Sequence, residues 1–139
     1  MGVVGRILGT ITEYTKHLDE EVDKGFDLRK WGDLMKFLHG LQVQSQMLID
    51  LFQRASSLLG YAPSSYIEAG EILLKEGIIS EEDFKFFRSV VGFRNIVVHE
   101  YFSINLNIVN KILRKREYRR ILHLANKVYN TLREKGLDP

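Results

Sequence analysis

The stretch SEEDFKFFRSVVGFRNIVVHEY, residues 80–101, decides the fold. Its apolar residues recur at intervals of three and four, the spacing that places them on one side of an α-helix. The opening S-E-E-D is typical of a helix start, because the serine caps free backbone amides and carboxylates favour the positive end of the helix dipole. The closing RNIVVHEY (94–101) threads polar side chains among apolar residues. That segment is therefore either a satisfied structural cluster or a functional site.

The same helical spacing extends to both sides of this stretch, and no β-like alternation of convincing length interrupts it. Glycines and prolines divide the chain into five predicted helices, at residues 4–25, 27–60, 64–77, 80–101 and 105–134. The predicted N-caps are Asp27, Ser64 or Ser65, Ser80 and Asn105. Short connections make consecutive helices antiparallel. The sequence predicts an all-α fold, an up-and-down antiparallel bundle of four to five helices, with residues 1–139 forming a single domain.

The composition bounds the class of protein. The chain has 139 residues, of which 45% are hydrophobic and 27% charged, as in ordinary globular proteins. It contains no cysteine, which excludes disulfides, a thiol nucleophile and a cysteine-based zinc site. No apolar run approaches the roughly 18 residues that a membrane helix needs, and the N-terminal segment lacks the basic region and cleavage signal of a secretory leader. We expect a cytoplasmic protein without membrane association.

The sequence lacks the motifs of several common kinds of functional site. The four histidines lie far apart and none forms an H-E-x-x-H pair, so no metal site is predicted. No glycine-rich phosphate loop or dinucleotide fingerprint is present, and no G-x-S-x-G nucleophile elbow occurs. The sequence therefore predicts neither a metal nor a cofactor.

Charge is unevenly distributed although the net charge is only +2. The segment LDEEVD (18–23) is acidic, whereas KILRKREYRR (111–120) carries six basic residues. A basic patch on a balanced domain is the electrostatic footprint of a nucleic-acid partner; the alternative is a solvated helix face. The candidate nucleic-acid-binding residues are Arg114, Lys115, Arg116, Arg119 and Arg120.

Helix geometry limits what RNIVVHEY can do within one chain. Asn95 and His99 are four residues apart, so the amide could fix the tautomer of the imidazole. Arg94 and Tyr101 are seven apart and share a stripe of a continuous helix, whereas Arg94 and His99 point about 140° apart. Arg94 and His99 converge only if the helix ends near His99 or if two copies meet. The alternative is a structural cluster, in which Arg94 and His99 favour the negative end of the helix and Glu100 pairs with a cation.

The segment RNIVVHEY matches the Arg-x4-His-x-Tyr signature of HEPN-domain toxins of the HepT type. The preceding GYAPSSYIEAGEILLKEGIIS (60–80) resembles that family as well, with a proline turn, a short helix and a G-I-I-S turn in the same order. The similarity covers roughly residues 41–113, and the whole chain at the level of helix count. Because a bare R-x4-H arises often by chance, the longer string is what makes the resemblance specific.

This resemblance implies a metal-independent endoribonuclease that acts as a homodimer on RNA. It implies proton transfer by His99, transition-state stabilisation by Arg94, and supporting roles for Asn95 and Glu100. Metal-free cleavage needs both an acid and a base, and a two-fold dimer supplies two copies of His99. The implied mechanism is therefore a composite active site.

The resemblance also implies a partner, a minimal nucleotidyltransferase antitoxin that transfers AMP to the motif tyrosine, here Tyr101. The residue's alternative role is that of a packing aromatic. Two other functions stay open for the chain. One is a non-catalytic HEPN module that recruits a nucleotidyltransferase or a nucleotide; the other is a helical dimerisation protein in which Arg94 and His99 form a buried structural pair.

Overall fold

The computed structural model describes residues 2–138, and every regular element in that range is a helix. The all-α bundle predicted from the sequence is confirmed. The helices are α1 (Val3–Asp23), α2 (Trp31–Leu58), α3 (Tyr66–Lys75), α4 (Glu81–His99), a short 3₁₀ helix (Tyr101–Ser103), α5 (Leu106–Arg114) and α6 (Arg119–Glu134).

Side-chain caps begin three of these helices where the sequence predicts them. The hydroxyl of Ser80 accepts a hydrogen bond from the Asp83 amide, and the Asp83 carboxylate accepts one from the Ser80 amide, which completes a capping box. Ser65, rather than Ser64, caps α3, and Asn105 caps α5. These local bonds satisfy amides that the helix itself leaves free.

The predicted cap of the second helix, Asp27, is wrong. Helix α2 begins at Trp31, and Lys30 occupies the cap position without a side-chain bond. The carboxylate of Asp27 instead accepts hydrogen bonds from the backbone and side chain of Arg29, and these bonds lower its pKa to about 2. Because this carboxylate is bound to its near neighbour, residues 27–30 form a turn rather than a first helical turn.

The single helix predicted over residues 105–134 is divided in two. A turn separates α5 from α6, and Arg116 within it has a φ of 53°, the left-handed region that ends a helix. The Glu117 amide donates to the Ile112 carbonyl across this turn at 2.9 Å. The helical spacing continues through the break, so periodicity alone did not reveal it.

A cluster of charged and hydroxyl groups holds this turn against α1. The Asp19 carboxylate accepts hydrogen bonds from Arg119 Nε at 3.0 Å, from Arg116 Nη1 at 3.3 Å, and from the Tyr118 hydroxyl. Burial opposes the ionisation of Asp19, but the bonds from Arg119, Tyr118 and Arg116 outweigh it and hold the pKa below its usual value. The acidic and basic segments that the sequence sets apart therefore pair with each other.

Two hydrophobic cores lie along α2. The larger surrounds the second half of the helix, where Phe52 stacks on Phe87 of α4 with ring centroids 4.0 Å apart. The smaller surrounds the first half and includes Phe37, Val97 and Leu113 from α2, α4 and α5. The RNIVVHEY segment lies over the smaller core, because Val97 is its buried residue. None of the helices between residues 2 and 138 is long and apolar enough to cross a membrane.

Candidate functional site

Arg94 is the anchored member of the motif. It is half-buried, and its Nε donates to Gln46 Oε1 of α2 at 2.8 Å. Nη1 donates to Asn95 Oδ1 at 3.0 Å, and the guanidinium carbon lies 5.4 Å from the centroid of the Tyr66 ring. Within residues 2–138, the remaining nitrogen Nη2 has no hydrogen-bond partner. Arg94 is thus held in place with Nη2 available to an anion.

Two residues that position Arg94, Gln46 and Tyr66, are not predicted from the sequence. Gln46 is itself oriented by Asp50, whose Oδ1 accepts from Gln46 Nε2 at 2.9 Å. Tyr66, the first residue of α3, supplies the aromatic face below the guanidinium. Neither position has a signal in a single sequence, because their roles follow from how α2 and α3 pack against α4.

His99 is exposed and is the last residue of α4. No hydrogen bond described for residues 2–138 joins Asn95 to His99, because the Asn95 oxygen accepts from Arg94 instead. Arg94 and His99 likewise share no hydrogen bond in the described part of the chain, and because α4 stays helical up to His99 the two residues point about 140° apart.

Tyr101 does not share a stripe with Arg94, contrary to the expectation for a continuous helix. Helix α4 ends at His99, and Glu100 adopts φ −133° and ψ 44° before the chain enters the 3₁₀ helix. The Tyr101 hydroxyl donates to the sulfur of Met35 in α2 at 3.3 Å. The residue is still 45% exposed, and it lies two positions after His99 in the chain. Glu100 is also exposed.

An open face of α4 runs up to His99. Ser89, Gly92 and Ile96 precede it at spacings of three and four and are all exposed. A Cβ added at Gly92 would meet nothing within 4 Å, so the fold of this chain does not require a glycine there. Helix α5 continues this face with Ile108, which is 53% exposed. A groove of about 420 Å³ separates the two helices.

The five candidate RNA-binding residues occupy different environments. Arg116 and Arg119 are bound to Asp19, and Arg116 also pairs with Asp23. Arg114 lies 4.8 Å above the Phe26 ring, and Arg120 lies 4.7 Å above the Phe86 ring. Lys115 is exposed at the end of α5. Their charge remains at the surface, but Arg116 and Arg119 are already neutralised by neighbouring carboxylates.

Over the part of the chain that the structure describes, no group of three or more histidine, aspartate and glutamate side chains is arranged to hold a metal ion. The donors at the motif are a guanidinium, an imidazole and an amide. Such a set suits binding of an anion and transfer of a proton.

These features define a class: an all-helical bundle whose fourth helix ends in a histidine, with an anchored arginine five residues earlier. The sequence model of the family described as Ribonuclease HepT-like matches residues 4–128. The chain belongs to this family, and the resemblance to the HepT type is confirmed at that level. None of the curated proteins compared with the chain matches its sequence.

Solved structures share this fold at low sequence identity. A toxin–antitoxin crystal structure with AMP-PNP superposes with a TM-score of 0.76 at 18% identity, covering 91% of this chain and 98% of that one. The tri-AMPylated Shewanella oneidensis HEPN toxin, solved in complex with MNT antitoxin, gives 0.74 at 20% identity, with coverage of 91% and 98%. YutE of Bacillus subtilis, a cytosolic protein of unknown function, gives 0.79 at 14% identity, with coverage of 98% and 92%.

Proposed function

We propose that the protein is a metal-independent endoribonuclease toxin that acts as a homodimer. The observation that carries this proposal is that α4 holds an anchored arginine, with a free guanidinium nitrogen, and ends five residues later in an exposed histidine. Membership of a ribonuclease family supports the reaction class. The chemistry of the two side chains supports the mechanism.

In this mechanism His99 transfers protons and Arg94 stabilises charge. RNA cleavage without a metal removes the proton of a 2′-hydroxyl, forms the bond from that oxygen to phosphorus, and protonates the departing 5′-oxygen. An imidazole has an ordinary pKa near ~6.5, which suits both proton transfers at neutral pH. The guanidinium binds the two non-bridging oxygens of the phosphorane-like transition state, where negative charge accumulates.

A second copy of the chain completes the site in this proposal. One chain offers one His99, whereas the reaction uses a base and an acid at the same phosphate. A two-fold dimer doubles each group around its axis. The open face of α4 suits such contact, since Gly92 costs helix stability and lets a second helix approach closely. Exposed Ile96 and Ile108 supply apolar surface beside it.

The composite site is tested by exchanging subunits between wild-type and His99→Ala dimers. Wild-type and His99→Ala chains are unfolded together in equal amounts and refolded, so that subunits exchange. A site that needs both histidines leaves only wild-type pairs active, so about a quarter of the activity remains, whereas independent sites leave about half. The control mixes separately refolded dimers and retains half. Half the activity after reassortment, or a monomer by sedimentation, contradicts the proposal.

We also propose that a minimal nucleotidyltransferase antitoxin silences the site by transferring AMP to Tyr101. Tyr101 is exposed, on a 3₁₀ helix that begins two residues after His99. An adenylate attached there would add bulk and negative charge next to His99 and repel RNA phosphates. Among the structural relatives, the Shewanella toxin is described as tri-AMPylated. Asn95 supports Arg94 in this scheme, and Glu100 remains a supporting candidate.

The modification is tested by mass spectrometry after co-expression with the product of the neighbouring gene, which in this proposal is a minimal nucleotidyltransferase. We expect the chain to gain the mass of one or more adenylate groups, with the first on the peptide that contains Tyr101. Tyr101→Phe should prevent the gain and leave RNA cleavage intact, because the ring is retained. Tyr14→Phe, on α1, is the matched control. An unmodified Tyr101 in the inactive complex would contradict this mode of silencing.

The same exposed tyrosine supports a second candidate, a HEPN module that binds the nucleotidyltransferase without turnover. This candidate predicts a stable complex and no RNA products, whereas the toxin predicts growth arrest when the chain is expressed alone. The basic residues Arg114, Lys115 and Arg120 would guide RNA only in the first case, with smaller contributions from Arg116 and Arg119 because of their carboxylate partners.

A further inference from the structure

Two aromatic side chains near the motif are exposed without an evident role in the fold. Phe102, in the middle of the 3₁₀ helix, is 91% exposed, and Trp31, the first residue of α2, is 76% exposed. Covering either ring with another flat apolar group would be favourable, because apolar surface is then removed from water. The aromatic–aromatic contacts found in residues 2–138 involve neither ring.

The 3₁₀ helix brings these two rings to the same end of the bundle. Tyr101 contacts Met35 through its hydroxyl, and Met35 follows Trp31 by four residues on α2. Residues four apart share a face of a helix, at a separation of about 6 Å along its axis. Trp31 therefore lies on the side of α2 that meets the 3₁₀ helix, where Phe102 is the neighbour of Tyr101.

Phe102 is also within one or two nucleotides of the catalytic histidine. It lies three positions after His99, a distance that the chain spans in at most about 11 Å. The polar residues Glu100 and Ser103 flank Tyr101 and Phe102 in the chain and are exposed. The aromatic residues therefore do not form one continuous apolar patch. The exposed cation directly before Trp31 is Lys30, whereas the guanidinium of Arg29 is paired with Asp27. Aromatic faces alternating with cations are the pattern that binds single-stranded nucleic acid.

We infer that Phe102 and Trp31 form a base-stacking platform for single-stranded RNA, which places the nucleotides next to the scissile phosphate. The inference rests on the proposed ribonuclease function and names its substrate class. Stacking on a ring requires an unpaired base, so double-stranded RNA is excluded from the site. It also separates neighbouring bases and frees the 2′-hydroxyl for in-line attack. Phe102 and Trp31 are positioning residues and take no part in proton transfer.

Trp31 makes the inference directly measurable, because it is the only tryptophan of the chain. A short oligouridylate is titrated into the His99→Ala protein, which binds RNA without cleaving it, and tryptophan emission is recorded. We expect quenching that saturates with oligouridylate. Inorganic polyphosphate, which carries charge but no bases, should produce none. Equal quenching by both would overturn the stacking platform.

Substitutions then separate stacking from simple apolar contact. Phe102→Leu and Trp31→Leu keep an apolar side chain but remove the π-face, and each should weaken oligouridylate binding by about tenfold. Phe102→Tyr should bind as the parent does. The matched control is Tyr61→Leu, beyond the other end of α2 and about 40 Å from Trp31 along the helix. Melting temperatures should agree among the variants, since the two rings are exposed.

The readouts distinguish failure of the inference from failure of the proposed function. If wild-type protein cleaves RNA while Phe102→Leu and Trp31→Leu retain KM, kcat and oligouridylate affinity, the platform is refuted and the ribonuclease stands. If the wild type cleaves no RNA but the leucine variants lose binding to the nucleotidyltransferase, the rings are a protein interface and both ideas fail. A higher KM with little change in kcat supports the platform.

Discussion

Replacement of His99 with alanine is expected to abolish RNA cleavage and leave the fold intact. His99 is exposed at the end of α4 and makes no hydrogen bond or ion pair in the described part of the chain, so its removal costs little stability. A side chain that transfers a proton typically raises the reaction rate by about 10²- to 10⁴-fold. The measurement is single-turnover cleavage of a labelled RNA in the presence of a chelator.

A second histidine provides the control for this loss. His17→Ala on α1 removes another exposed imidazole, which in the described part of the chain lies 3.7 Å from the Glu13 carboxylate. This variant should cleave at the wild-type rate and melt at the wild-type temperature. Cleavage by His99→Ala at more than about a tenth of the wild-type rate would refute proton transfer by this residue, given the size of such effects. Dependence on added Mg²⁺ would refute the metal-free mechanism.

Arg94→Ala is expected to lower the cleavage rate by about 10²- to 10³-fold, the usual cost of removing one group that stabilises transition-state charge. Arg94→Lys should recover little of this loss, because an ammonium retains the charge but lacks the bidentate fork. The lysine also cannot reproduce the bond from Nε to Gln46. The effect should fall on kcat rather than KM, since the guanidinium acts on charge that develops during the reaction.

The competing explanation for Arg94 is a structural pair. In that case Arg94→Ala lowers the melting temperature and leaves the specific activity of the folded fraction unchanged. Gln46→Ala distinguishes the catalytic from the structural role, because it removes the anchor of Arg94 while keeping the guanidinium. We expect a cleavage rate between those of the wild type and Arg94→Ala. Arg133→Ala, an exposed arginine in the last turn of α6, is the matched control. Unchanged kcat in Arg94→Ala would refute the catalytic role.

Most of the fold could be predicted because the local helix signals, such as caps, agree with the helices that form in the packed structure. Ser80 with Asp83 and Asn105 give caps that need no tertiary contact, so their helix starts were predictable. The start of α2 was not, since Asp27 prefers Arg29 two residues away. The break at Arg116 was hidden as well. Its cause is Asp19, almost one hundred residues earlier in the chain, and periodicity does not contain that partner.

The candidate site was predictable in its members but not in its geometry. Arg94, His99 and Tyr101 stand out as polar groups in a motif. The end of α4 at His99, which takes Tyr101 off the Arg94 stripe, depends on the backbone at Glu100. Gln46 and Tyr66, which hold Arg94, belong to other helices. Contacts between elements carry no periodic signal, so a single sequence does not reveal them.

The two cores along α2 support different parts of the molecule. Nearly all of the aromatic and aliphatic mass around Phe52 and Phe87 belongs to the larger core, whereas the motif rests on the smaller one through Val97. Trimming a buried side chain of the smaller core, as in Leu113→Ala, is therefore expected to perturb the motif more directly than a change of equal size around Phe52.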